Sequence, residues 1–369
     1  MILAVFLVSV LISMLALSID IGYIAASRSE ARRMADAAAL AGCWQLFEGS
    51  TLNQDETLLQ AGVQNAANSI AGLNSVCNKS PTLSTSATSP DISIGYLDSL
   101  DGNTPILTGS NRPYRAVRVT LRKTANFNGQ VPLFFANFFG QSGRDMTVEA
   151  TAAMAWQIKG FRSPSSIGPT GIGMLPFAID ETTWNDMLNG GGTDIYKYDF
   201  DRLIVASGSD GIREVNLYPQ GTGSPGNRGT VDIGGANNST ADLARQIAYG
   251  ITAQDLTDLG KPLVLNTDGM LTLNGDTGIS AGVKDELASI IGQTRIIPVF
   301  SSVSGNGNNA MYTIVRWAGV RILAVKLTGP MNSKHLLVQP APVLARNVIP
   351  GDTSRTWSST IYSPVVLVK

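Results

Sequence analysis

MILAVFLVSVLISMLALSI, residues 1–19, contains no charged side chain. At about 1.5 Å per residue the run reaches about 28 Å, close to the roughly 30 Å hydrocarbon core of a bilayer. Apolar residues resume after Asp20 with Ile21, Gly22, Tyr23 and Ile24. The pattern predicts a single-span membrane anchor over residues 1–26. A cleaved signal peptide is a weaker account. No basic segment precedes the run, the apolar stretch is too long, and the A-x-A pattern Ala39-Leu40-Ala41 lies well beyond it. A buried core helix fits less well still, because such helices keep charge on one face.

Working outward, residues 25–48 contain no proline and many alanines, so the helix is expected to continue. Ala31, Ala35, Ala38 and Gly42 recur at helical spacing and form a small-residue face that lets another backbone approach closely. The same alanines also serve simply as good helix formers. A second helix is predicted from about Gln54 to Ala71, capped by Asn53 with Glu56 in capping-box position and ended by Gly72. Its stripe is Leu59, Val63, Ala66 and Ile70. The polar, breaker-rich stretch 79–90 reads as a loop.

RAVRVTLRK (115–123) alternates Val117, Val119 and Leu121 with Arg118, Thr120 and Arg122, which is a half-buried strand. DMTVEATAAM (145–154) repeats the pattern. Between them VPLFFANFFG (131–140) reads as a short helix stopped by Gly140. Its phenylalanines at 134, 135, 138 and 139 suit either a core plug or a hydrophobic docking knob. The arginines at 115, 118 and 122 suit a solvated sheet face better than a basic binding ridge.

The chain has 369 residues and a net charge of −1, so it has length for two or three domains beyond the anchor and no bulk field to recruit nucleic acid or anionic lipid. With 38 glycines and 15% charged residues the composition is that of a turn-rich β protein. Two cysteines and one histidine argue against zinc, haem and iron–sulfur sites, and no cofactor is expected. Cys43 and Cys77 each lie near the end of a predicted helix. A disulfide between them and two free thiols are both compatible with that spacing, and a bond would need an oxidising compartment.

GFRSPSSIGPTGIG (160–173) is rich in Gly, Pro and Ser and is expected to link 27–159 to a β-rich α+β domain over 174–369. Helices are predicted at ETTWNDML, at TADLARQIAY and TAQDLTDL (each ended by glycine), and at VKDELASII. Strands are predicted at DRLIVAS, REVNLY, TRIIPVFSSV, MYTIVRW, VRILAVKL and HLLVQ. SGNGNN (304–309) reads as a hairpin.

Three motifs bear on chemistry. Gly221–Gly226 fits GxGxxG, but Pro225 interrupts it and no helix follows. Gly278–Gly282 fits GxSxG, with Ser280 and the downstream His335 as candidate nucleophile and base of a membrane-tethered serine hydrolase. The intervening acids, Asp285 and Glu286, sit on the helix just after the serine, so Ser280 reads better as a helix cap. Asp91-Ile-Ser-Ile-Gly95 approaches a DxSxS metal motif but ends in glycine.

Asp20-Ile-Gly-Tyr23 after the span, followed by ARRMADAAALAG at 31–42, strongly resembles the N-terminal region of TadG-like proteins of the Tad (Flp) pilus-assembly system. A looser likeness covers 113–154. The resemblance implies an inner-membrane protein with its bulk periplasmic or extracellular, acting in pilus assembly and adhesion. It also implies a pilin-like arrangement, a long helix leading onto an antiparallel sheet. Relatives usually begin with a short basic cytoplasmic segment, so a few residues are expected to precede Met1. Arg28, Arg32 and Arg33 follow the span, and the positive-inside rule alone would place the body in the cytoplasm. The family resemblance points outward, and an exterior body is expected.

The sequence thus predicts an α+β protein without catalytic residues, whose partners are the lipid bilayer and other pilus-assembly proteins or pilin subunits. No nucleic acid or small-molecule substrate is expected. The alternatives are the hydrolase using Ser280 and His335, or an envelope binding module unrelated to pili.

Overall fold

A computed structural model describes residues 2–51, 55–86, 88–109, 111–164, 171–218, 228–235, 239–305 and 307–368. The chain divides into two compact units. The first comprises Met1–Ser110, Tyr114–Met154 and Val365–Lys369, and the second Asn111–Pro113 and Ala155–Pro364. The chain therefore leaves the first unit late in one strand and returns to it at its C-terminus.

The first unit opens with α1 (Ile2–Thr51), an unbroken helix of 50 residues. α2 (Glu56–Leu73) lies against it and buries Val63, Ala67 and Ala71. Asp55 caps α2 by accepting from the Leu58 N–H, satisfying one of the helix's orphan donors. The expected cap, Asn53, lies outside the described residues, and Asn74 rather than Gly72 closes the helix.

The strands are β1 (Ile92–Leu97), β2 (Tyr114–Lys123), β3 (Val131–Pro132), β4 (Gly143–Arg144) and β5 (Met146–Ala155). β1 runs antiparallel to β2 with Ile92 opposite Val119. The sheet order is β1, β2, β5 and then the C-terminal strand Val366–Leu367, antiparallel to β5 with Val366 opposite Ala153. Val117, Val119 and Leu121 are fully buried, as their alternation predicts. Removing each from water is worth roughly 1.5–3 kcal/mol. β3 and β4 form a hairpin that pairs Val131 with Arg144.

In the second unit β6 (Phe177–Asp180) leads into α3 (Glu181–Leu188). β7 (Val215–Asn216) and β8 (Arg228–Val231) precede α4 (Thr240–Tyr249) and α5 (Ala253–Leu259). β9 (Leu271–Asp276), α6 (Lys284–Ser289), β10 (Thr294–Ser304), β11 (Ala310–Lys326) and β12 (His335–Pro340) follow. β11 pairs with β9, β9 with β8, β8 with β6, β6 with β10, and β10 again with β11, so these strands close into a ring. Closure leaves the ring strands without a free edge, while β12 and then β7 extend the sheet outward from β11. Phe177, Ile179, Ile297, Val299, Val320 and Ile322 fill the core with Trp184, Ile247 and Leu287 from the helices.

The predicted helices form where expected. Gly250 and Gly260 end α4 and α5 with φ of 78° and 68°, a region that glycine enters without a Cβ penalty. β10 and β11 pair antiparallel out to Ser304 opposite Met311, as the expected hairpin requires, although Asn306 of its turn lies outside the described residues. MYTIVRW and VRILAVKL, expected as two strands, are one strand of 17 residues.

Candidate functional site at the membrane exit

The described side chains from Leu3 to Ile19 are exposed or half-buried, with none buried. Leu7, Leu11, Leu15 and Ile19 are all more than half exposed. In water that surface would be costly; in hydrocarbon it is the expected one. Among the described residues one helix is long and apolar enough to cross a membrane, and it is this one. The Ser18 hydroxyl, which lipid could not solvate, donates to the Met14 carbonyl at 2.8 Å.

Asp20 is the first charge after the span and is only 3% exposed. Its carboxylate accepts backbone N–H groups from Phe134 (2.8 Å), Phe135 (3.1 Å) and Ala136 (2.7 Å). These residues form the tip of the β3–β4 hairpin. A buried carboxylate needs such donors, and charge-assisted bonds of this length are among the stronger ones. Tyr23 adds an edge-on ring contact to Phe134 at 5.0 Å. The Asp-Ile-Gly element at the end of the span is thus a clamp on a loop more than a hundred residues downstream.

The tip is a 3₁₀ turn, Ala136–Phe139, ended by Gly140 at φ 81°. The core-plug expectation fails here. Phe138 and Phe139 are 86% and 84% exposed, and Phe134 is half exposed. A four-residue turn held by its backbone cannot turn both of its last two rings inward. Burying each ring would be worth roughly 1.5–3 kcal/mol that the fold leaves unused.

The small-residue face is used within the chain. Ala31, Ala35 and Ala38 are fully buried, and α2 and β2 lie against α1. A Cβ on Gly42 would meet Val117 at 3.1 Å and Val63 at 3.3 Å. The face is therefore occupied and not open to another protein.

Cys43 and Cys77 are free thiols and are not brought together. Cys77 sits in a tight turn with φ of 54°, its N–H bonded to Glu30 and its thiol donating to Ser27 at 3.2 Å. Cys43 lies sixteen residues further along α1 than Ser27, about 24 Å at helical rise. A disulfide reaches no further than about 7 Å between Cα atoms. Burial pushes the Cys43 thiol up to about 12.

The other motifs resolve into structure. Ser280 caps a short 3₁₀ turn, accepts from the Gly282 N–H and meets the Thr240 hydroxyl at 3.1 Å. His335 lies on β12 with its Nδ1 at 3.1 Å from the Ser333 carbonyl. No hydrogen bond joins Ser280 to His335, so no triad is assembled there. Asp91 is buried in an ion pair with Arg122 at 2.6 Å and accepts from the Ser84 N–H. Arg118 donates to Thr151 and to the Thr104 carbonyl. These arginines are cross-strand ties on the solvent face of the sheet. Gly221–Gly226, and residues 165–170 of the expected linker, lie outside the described residues.

A family model described as Tad-like Flp pilus-assembly matches residues 29–152, and one described as Flp pilus-assembly TadE/G-like matches residues 1–45. No curated protein and no solved structure matches the chain. The matched residues cover the bare span, the Asp20 clamp, the buried small-residue face and the sheet through most of β5. Residues 1–152 thus match models of Tad (Flp) pilus-assembly proteins, and the N-terminal helix is long and apolar enough to anchor the chain in a membrane.

Proposed function

We propose that this protein is a structural and assembly component of a Tad-type pilus. It is held by one span in the inner membrane, with its body periplasmic or extracellular, and works through protein–protein contacts rather than bond chemistry. Its partners are other pilus-assembly proteins or pilin subunits. The observation that carries this reading is the pilus-assembly family match, which coincides with a bare apolar helix running into a packed helix–sheet unit. Exposed Ile195, Phe200, Leu203 and Ile204, on and beside one hairpin of the second unit, support a role in contacts.

Deleting the gene should reduce pilus number and surface adhesion; unchanged piliation and attachment would overturn the assembly role. A reporter active only outside the cytoplasm, fused to the C-terminus, should be active. If only a cytoplasm-active reporter worked there, the body would lie on the other side.

A further inference from the structure

We infer that the tip of the β3–β4 hairpin is a second membrane contact, with Phe138 and Phe139 entering the same lipid leaflet that α1 leaves at Asp20. The inference rests on α1 spanning a bilayer.

The first argument is level. Asp20 immediately follows the apolar run and holds the tip through the N–H groups of residues 134–136. Helix side chains lean toward the N-terminus, so the Asp20 carboxylate reaches back toward the lipid and holds the tip beside the end of the span. Phe134 packs on Tyr23, one turn away.

The second argument is chemistry. Residues 124–143 contain no charge, and the tip places two phenylalanines outward at more than four-fifths exposure. A soluble surface rarely carries adjacent bare rings, whereas the boundary between headgroups and acyl chains takes them readily. The third argument is the gradient of polarity beside the tip. Ile21, Ile24 and Val131 line an open cavity of about 330 Å³ together with Arg28 and Arg144. Asp145 also lines it and accepts from Gln130. Arg28 lies eight residues beyond Asp20, about 12 Å along the helix, and its long side chain can reach back to lipid phosphates. Along α1, Ile21 and Ile24 nearest the span with Arg28 beyond them match the order of a lipid leaflet. The occupant of the tip is therefore phospholipid.

The test uses the full chain reconstituted in phosphatidylcholine liposomes that contain lipid brominated high on the acyl chain. Phe138→Trp places a reporter at the tip. Leu58→Trp is the control, because it is exposed in the first turn of α2, and Gly62 of that helix lies against Gln45, 25 residues and about 37 Å beyond Asp20. Bromolipid should quench most of the emission added by Phe138→Trp and none of that added by Leu58→Trp. Aqueous iodide should show the reverse. If the chain floats with the liposomes and the two variants quench alike, the lipid contact is overturned, and the tip belongs to a protein partner or a second copy. If the chain does not float, the anchor itself fails and the contact fails with it.

Discussion

Residues 2–19 and residues 20–51 of α1 share one unbroken backbone and have opposite surroundings. Between Leu3 and Ile19 no described side chain is buried. From Asp20 onward burial recurs at Ser27, Ala31, Met34, Ala35, Ala38, Ala39 and Cys43, the three-to-four spacing of a helix with one covered face. Helix propensity does not separate these halves. The first is apolar on nearly every side, the surface that a membrane span needs. The second carries a stripe of small side chains that lets α2 and β2 come close, with charges such as Arg28, Arg32 and Arg33 left outward.

The comparison breaks most directly in the first half. Leu11→Arg puts a charge near the middle of the span and should cost about 3 kcal/mol of insertion free energy. Alkaline carbonate should then release a large share of the chain; full retention in the membrane pellet would mean that this stretch does not sit in lipid. At the junction, Asp20→Ala leaves three tip amides without their acceptor and should loosen the tip. Hydrogen exchange at Phe134, Phe135 and Ala136 should accelerate sharply while β2 amides stay protected.

In the second half, Gly42→Val forces atoms into Val117 and Val63 and should destabilise the first unit by about 2 kcal/mol. Gly22→Val, where a Cβ would meet nothing within 4 Å, should leave the unfolding midpoint unchanged. Equal midpoints for the two variants would mean that Gly42 is not packed against Val117 and Val63. The smallest effect is on thiol chemistry. With its pKa pushed up to about 12, folded Cys43 has almost no thiolate at pH 8, so maleimide should modify Cys77 alone and reach both only after denaturation. A protected pair resistant to labelling until reduced would restore the disulfide.

Much of the fold was legible because local patterns and tertiary packing agree. Absence of charge marked the span, alternation marked β2, and glycine stops marked α4 and α5. The failures have specific causes. Gly319 reads as a break between two strands, yet a Cβ there would meet the carbonyls of Ala341 and Thr360 at 2.6 and 2.7 Å. It is a close-approach glycine inside one long strand, and local sequence does not distinguish that use from a turn. The C-terminal strand is two residues long and has no periodicity to read. It nonetheless completes a sheet whose other strands lie more than two hundred residues earlier.

The sequence by itself determined the apolar anchor helix, its helical continuation, the strand-forming segments and the pilus-assembly likeness of residues 1–152, because each depends on composition or spacing within a short window. Only the tertiary structure decided that the small-residue face is filled from within and that the two cysteines stay apart. It alone decided that the second unit is inserted before the last strand of the first, and that Asp20 grips the phenylalanine tip while the rings of Phe138 and Phe139 point outward. Those outcomes depend on which distant segments meet, and a backbone amide that seeks a carboxylate across more than a hundred residues leaves no mark on the residues beside it.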